Sequence, residues 1–439
     1  MSQTNRKHRR MREEAGRPSP PTWPPSPAEQ AGLAAELVGQ AAYFIYRGDD
    51  TELCYAVSRL TADGGPAWRG AVERSLDGSL RATITALWGC GWQPADVLRV
   101  VARRLKPPHQ DLVQAVIAAE ASGYAAATVD QRWSAQLAEA GIGVWWPAEL
   151  TAVQACARAH AAGWADFVVV ALGLLRELVR LPQLESLIPI PGTATPTRPG
   201  PRPDVDERIL ARVRALLAKA ESTTFPAEAE TFTAGAQALM ARHCIDHALL
   251  AATGRAPADG PTGRRIGIDN PYEAAKASLL AAVAGANRSR AVWTKTLGFA
   301  TVVGHPADLD TVEVLFTSLL VQGTTAMTGE GSRASRGGGS RTRAFRQSFL
   351  VSYGYRIGER LTETTRQETE AAAVEPGKRN LLPVLASRVE AVERATAALF
   401  PQLKSYSTNA WDGESWVRGR TAADLATLTP ATPVTGPGA

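Results

Sequence analysis

The sequence predicts a mainly α-helical protein with a smaller α+β domain towards its C-terminal end. Apolar residues recur with helical spacing from residue 28 to residue 187. Beyond residue 263, short runs rich in β-branched residues alternate with helical stretches. A Pro-rich segment at 188–204 lies between these regions and is typical of a linker. With 439 residues, 45% of them hydrophobic, the chain has the length of about three domains of roughly 150 residues each.

The first half of the chain is predicted to form one all-helical domain at 28–187. The tail before it, 1–27, is basic and then Pro-rich, so we expect it to be disordered. Gly-rich and Pro-rich breaks divide the domain into helices, which we expect at 33–46, 53–60, 71–88, 94–105, 112–124 and 150–181. Tryptophans near the ends of these helices are expected to pack in the core: Trp68, Trp88, Trp92, Trp133, Trp145, Trp146 and Trp164.

The second half is predicted to hold a helical hairpin and an α+β domain. The hairpin occupies 205–253, and the α+β domain occupies 264–427. We expect a strand at 264–268 and a β-hairpin at 291–303 that turns at Gly298. Helices are expected at 272–286, 309–327, 342–370 and 382–400. The tail at 428–439 is predicted to be disordered.

The predicted hairpin resembles a known family. Its helices carry Leu216-Leu-Ala-Lys-Ala-Glu221, Glu228-Ala229 and Leu239-Met240, which are similar to the bacterial and phage family called domain of unknown function 2786. The resemblance covers about residues 205 to 250 and implies a helical fold without implying a reaction. Proteins of this family often continue into a helix like the one around Phe345, Ser348, Phe349 and Tyr353. One departure is Gly235, which stands where the family usually has Lys.

Composition favours a cytoplasmic protein that does not cross a membrane. The basic start, residues 1–12, is not followed by the apolar region that a secretory signal needs. The longest apolar run, Phe167 to Leu175, is about half as long as a bilayer-spanning helix. Single cysteines at scattered positions fit a reducing compartment and neither a disulfide framework nor a zinc ribbon: Cys54, Cys90, Cys156 and Cys244.

Positive charge is concentrated in two segments. The net charge is +5, but residues 1–12 and 331–346 each carry five Lys or Arg and no acid, so the rest of the chain is net negative. Arginines in a flexible Ser/Gly-rich loop can contact phosphates, and neighbouring exposed aromatics can stack on bases. The predicted nucleic-acid-binding residues are Arg333, Arg336, Arg341, Arg343 and Arg346. A solvated loop followed by a helix with core aromatics, or a site for an acidic protein partner, are the alternatives.

Two further groups of polar residues invite chemical interpretations, and both have structural alternatives. His243 and His247 have the spacing of a metal pair, but His243 is expected to end one helix and Ile245 to follow in the next. His305, Asp308 and Asp310, with Glu313 one turn later, could supply acid and base groups, but Pro306 and the acids also suit the start of a helix. No P-loop, nucleophile elbow or dinucleotide motif occurs. We therefore predict no metal and no cofactor.

The sequence favours an accessory protein without catalytic activity that binds nucleic acid or a nucleoprotein complex through the arginine segment and the basic tail. A metal-dependent hydrolase built on His305, Asp308 and Asp310 is one alternative. The other is an adaptor whose N-terminal helical domain recruits a protein partner. The sequence leaves both alternatives open.

Overall fold

A computed structural model describes residues 26–62, 64–160, 163–194, 204–222, 226–252, 260–334, 339–376, 380–403, 417–418 and 420–421. The chain divides into two compact units, here called unit 1 (Met1–Pro196) and unit 2 (Thr197–Ala439). Their boundary falls inside the Pro-rich segment predicted to be a linker. The predicted fold class is confirmed, because helices predominate and the only sheet in the described residues is a small one in unit 2. Of the tails predicted to be disordered, 1–27 and 428–439, residues 1–25 and 428–439 lie outside the described residues, whereas Ser26 and Pro27 belong to the start of the first helix.

Unit 1 contains helices and no strand in its described residues. Its α-helices are α1 (Pro27–Arg47), α2 (Asp50–Leu60), α3 (Gly65–Gly89), α4 (Pro94–Arg104), α5 (Pro107–Ala121), α6 (Gln131–Glu139), α7 (Ala152–Ala159) and α8 (Trp164–Val179). A 3₁₀ turn at Ala126–Thr128 precedes α6. Helix α1 begins with a capping box between Ser26 and Glu29, in which each side chain accepts a hydrogen bond from the other residue's backbone N–H.

Helix α3 is the centre of unit 1. It packs against α1, α5, α7 and α8. Its core face repeats every four residues, with Leu76, Leu80, Ile84 and Trp88 almost completely buried. The turn after α3 is tight, because Gly91 has a φ of 81° and an added Cβ would lie 2.4 Å from the backbone oxygen of Leu184.

Most of the tryptophans that were predicted to pack in the core of unit 1 are buried. Five of its described tryptophans are buried: Trp68, Trp88, Trp92, Trp133 and Trp146. Trp164 is half-buried, and Trp145 is 62% exposed. The single helix predicted at 150–181 is wrong, since α7 and α8 are separate helices with His160 and Gly163 between them in non-helical conformations. Helix α6 was not predicted.

Unit 2 combines helices with one sheet. Its elements are α9 (Asp204–Ser222), α10 (Pro226–Ala252), β1 (Thr262–Gly267), α11 (Glu273–Ala286), β2 (Arg290–Thr294), β3 (Phe299–Gly304), α12 (Pro306–Ala334), α13 (Gly339–Ala373) and α14 (Leu381–Leu399). The strands pair antiparallel in the order β1-β3-β2, and Thr301 of β3 lies opposite Arg265 and Val292. Gly298 turns the predicted β-hairpin with a φ of 73°. All six residues of β3 are buried.

Helices α11 and α13 pack closely because small residues line their contact. An added Cβ on Gly354 would lie 3.2 Å from the Leu279 Cα, and one on Gly358 would lie 2.9 Å from the Ala282 Cβ. The family-like hairpin, α9 with α10, joins the same core through Val213, Leu217 and other apolar side chains. The apolar face of the hairpin is therefore covered by the α+β region within unit 2.

No helix in the described part of the chain is long and apolar enough to cross a membrane.

Candidate functional site

Four of the five predicted arginines lie near the end of α12 or the start of α13, and these two helices form a long helical hairpin. Only residues 335–338 separate the two helices. An added Cβ on Gly323 would lie 2.8 Å from the ring of Tyr353, so α12 and α13 run side by side in opposite directions. From Gly323 to Ala334, at 1.5 Å per residue, α12 continues roughly 16 Å beyond this contact. We call the end of this hairpin, with Arg333, Arg336, Arg341, Arg343 and Arg346, the arginine tip.

The described side chains of the arginine tip lie at its base. Arg343 is exposed and Arg346 is half-buried. The Nε of Arg346 is buried and has no hydrogen-bond partner among the described residues. Arg333 and Arg341 belong to the last turn of α12 and the first turn of α13, and Arg336 lies outside the described residues. Arg418 adds a guanidinium 6.0 Å from the ring centroid of Phe345.

The aromatic residues of α13 mostly belong to the core. Phe349 and Tyr353 are 0% and 1% exposed, and their rings stack at 6.5 Å with an interplanar angle of 7°. Phe345 packs partly buried against the same core, whereas Tyr355 is 64% exposed. In this conformation, the buried rings of Phe349 and Tyr353 cannot stack on nucleic-acid bases. This agrees with the alternative interpretation of the sequence, in which these aromatic residues belong to the core. Any nucleic-acid contact here depends on the arginines.

Replacing Tyr353 with phenylalanine is expected to stabilise unit 2 by about 1 kcal/mol. The Tyr353 hydroxyl is buried without a hydrogen-bond partner in the described residues, and burial raises the pKa of Tyr353. Phenylalanine keeps the ring that stacks on Phe349 and removes the unsatisfied hydroxyl. Urea unfolding followed by circular dichroism measures the change. Tyr355→Phe, at an exposed position, is the control, and a loss of stability in Tyr353→Phe contradicts the expectation.

A buried polar cluster lies where α12 begins. The Arg288 guanidinium donates from Nη2 to Asp308 Oδ1 at 2.8 Å, and the two side chains are 12% and 2% exposed. Arg288 has a positive φ of 51°, a backbone conformation that is uncommon outside glycine. Burial acts to lower the pKa of Arg288, but the adjacent Asp308 carboxylate outweighs it and raises this pKa. The cluster is therefore a charged pair buried in the protein.

Cys244 of α10 borders this cluster. Its Sγ lies 3.4 Å from Thr311 Oγ1, and its thiol is buried. Burial first, and the Asp308 carboxylate second, raise the pKa of Cys244 to about 12. The thiol is therefore protonated at neutral pH, which is unfavourable for a nucleophile or a metal ligand.

The acid and base group predicted from the sequence is divided between two sets of partners. Asp308 pairs with Arg288, whereas Asp310 and Glu313 accept from Arg264 at 2.7 and 2.6 Å. His305 is buried, and its backbone oxygen accepts from Leu309 N at the start of α12. No three or more His, Cys, Asp or Glu side chains in the described residues are grouped so as to hold a metal ion. The described ion pairs of these acids connect the start of α12 to Arg288, which follows α11, and to Arg264 of β1.

His243 and His247 are closer together than the sequence suggested. The predicted helix boundary between His243 and Ile245 is wrong, because α10 runs without interruption from Pro226 to Ala252. The two rings consequently lie one helical turn apart, with centroids separated by 5.3 Å.

Unit 1 contains a pocket of about 470 Å³ that the sequence did not indicate. Trp145, Phe167 and Ile142 supply apolar walls, and Asp111 and His160 supply polar groups. Cys156 also lines the pocket, and burial and then the carboxylates of Asp111 and Asp77 raise its pKa to about 12. Its lining comes from four separate segments, so no local motif could have revealed it.

Comparison with known proteins agrees with the resemblance seen in the hairpin. Residues 208–247 match the family described as a protein of unknown function, DUF2786. The matched segment lies in α9 and α10 and is a small part of the chain. Gly235, the departure from the family pattern, faces the other helix of the hairpin, since an added Cβ would contact Leu216 Cδ1 at 3.7 Å. No curated protein and no solved structure matches the chain.

Proposed function

We propose that this protein is a non-catalytic accessory protein that binds nucleic acid through the arginine tip. The observation that carries the proposal is the position of five arginines, without an acidic residue between 331 and 346, where α12 and α13 meet. Guanidinium groups bind phosphate oxygens in bidentate fashion and stay charged at any physiological pH. The basic segment 1–12, outside the described residues, supplies a second contact of the same kind.

The location of the tip supports contact with an extended polyanion. Helices α12 and α13 carry the arginines beyond the level at which Gly323 and Tyr353 meet, and Arg418 adds charge at the base. Several other described arginines are paired with acids, as Arg366 is with Glu363 and Glu370. Phosphate contact without base contact implies binding that depends on salt and hardly on sequence.

Fluorescence anisotropy of labelled single-stranded and duplex oligonucleotides, measured across a salt series, tests the proposal. Wild type is expected to bind duplex with log affinity falling against log salt, and five phosphate contacts by the tip are expected to contribute about −4.5 to this slope. Replacing all five arginines of the tip with alanine is expected to remove most of that slope.

A matched control removes five exposed arginines from unit 1 instead: Arg47, Arg59, Arg81, Arg132 and Arg158. This variant loses the same net charge but keeps the arginine tip, so its slope is expected to stay close to that of wild type. Equal losses in both variants indicate a general charge effect and overturn the assignment of the tip. Absence of binding by wild type at low salt overturns the proposed function.

A further inference from the structure

His243 and His247 form a pair of imidazoles on one side of α10. Because α10 is continuous, residues four apart lie on the same face, one turn above each other. Their ring centroids are 5.3 Å apart and their planes are inclined at 54°. Both residues are half-buried.

This separation suits a shared metal ion. An imidazole nitrogen coordinates zinc at about 2.0–2.1 Å, so two rings directed at one ion have centroids roughly 4.5–5.5 Å apart. Imidazole is a preferred ligand of zinc, copper and nickel. We propose that His243 and His247 bind one divalent transition-metal ion of this class, a site separate from the arginine tip.

Contacts of the neighbouring residues hold this part of α10 in place. Arg242 pairs with Glu375, and Ile245 packs in an apolar cluster with Leu381 and Leu385 of α14. Cys244 contacts Thr311 of α12. Residues next to His243 are thus fixed to three other parts of unit 2. Binding an ion requires adjustment of the two rings and little rearrangement of the helix, which favours affinity.

The site is a chelate of two protein ligands. The described residues provide no third His, Cys, Asp or Glu that completes a cluster with this pair. Zinc commonly has four ligands, so water fills the remaining positions. The affinity is expected to be on the order of micromolar, well below that of closed structural sites.

Isothermal titration of the full chain with Ni²⁺ tests the site, using protein without a polyhistidine tag. One ion per chain is expected to bind in wild type. His243→Gln and His247→Gln are each expected to weaken binding by about tenfold or more, because one imidazole alone cannot chelate. His160→Gln, in unit 1, is the control and keeps wild-type affinity.

A second readout concerns stability and coordination. Saturating Ni²⁺ is expected to raise the melting temperature of wild type and not that of either glutamine variant, since a ligand of the folded state stabilises it. Electron paramagnetic resonance of bound Cu²⁺ is expected to show two nitrogen ligands in wild type and one in each variant. If either variant fails to fold, the other decides. The proposal is overturned if wild type shows no saturable binding, or if a folded glutamine variant keeps wild-type affinity.

Discussion

Asp308→Ala is expected to destabilise unit 2 by about 3–5 kcal/mol. The substitution removes the carboxylate that pairs with Arg288 at 2.8 Å and leaves a guanidinium buried without its counter-charge. Arg288 cannot lose its proton at any ordinary pH, so the cost cannot be avoided by neutralisation. Cys244 and Thr311 lie beside the pair, and the change therefore reaches the contact between α10 and α12.

Urea unfolding followed by far-ultraviolet circular dichroism measures this effect, and calorimetry assigns it to one of the two units. The double variant Arg288→Met with Asp308→Leu removes both charges and is expected to unfold close to wild type. Asp310→Ala breaks an exposed pair with Arg264 and is expected to cost less than about 1 kcal/mol. A similar small cost for Asp308→Ala would contradict the buried ion pair.

Glu120→Ala is expected to destabilise unit 1 by about 3 kcal/mol. Glu120 is 5% exposed and accepts hydrogen bonds from three side chains of unit 1: Trp88 Nε1 at 2.9 Å, Thr85 Oγ1 at 3.0 Å and the Tyr124 hydroxyl. Burial, and then the Glu120 carboxylate, raise the pKa of Tyr124 to about 12, so its hydroxyl stays protonated and donates. Alanine leaves the buried indole N–H of Trp88 unsatisfied and opens a cavity between α3 and α5.

Tryptophan fluorescence during urea unfolding follows this change, because most described tryptophans belong to unit 1. Tyr124→Phe removes one of the three hydrogen bonds and is expected to cost about 1 kcal/mol. Glu139→Ala changes an exposed glutamate of α6 and serves as the surface control. Equal stabilities of Glu120→Ala and Glu139→Ala would show that the three hydrogen bonds contribute nothing.

Local pattern predicts the elements of this fold better than it predicts their boundaries. The β-hairpin turning at Gly298 and the helix at 272–286 carry strong local signals, and they occur within a few residues of the expected positions. The break between α7 and α8 has no proline to mark it, and the apolar pattern continues through it, so 150–181 was read as one helix. In α10 the opposite error occurred: the Cys-Ile-Asp sequence after His243 suggested that a helix ends there, but α10 continues through it.

The distribution of charge along the sequence pointed to the arginine segment, but it could not predict which charged residues form ion pairs between distant elements. Asp308 lies 20 residues from Arg288, which has a left-handed conformation in the turn after α11. Likewise, Asp310 finds Arg264 on β1, 46 residues away. The close spacing of His305, Asp308 and Asp310 in the sequence suggested one acid and base site. In the structure, the two aspartates instead contact arginines from elements that are distant in sequence.

The shared core of unit 2 limits what can be learned from the family segment in isolation. Val213 and Leu217 of α9, with Ala236 and Met240 of α10, are buried in a cluster that includes side chains from β1, α11, α12 and α13. Excised from the chain, the segment 208–247 would expose these apolar side chains to water, at a cost that two helices cannot recover by packing on each other alone. Properties that this segment has in common with the family it resembles are therefore to be sought in chains that retain the surrounding elements. The recognisable segment and the folding unit have different boundaries.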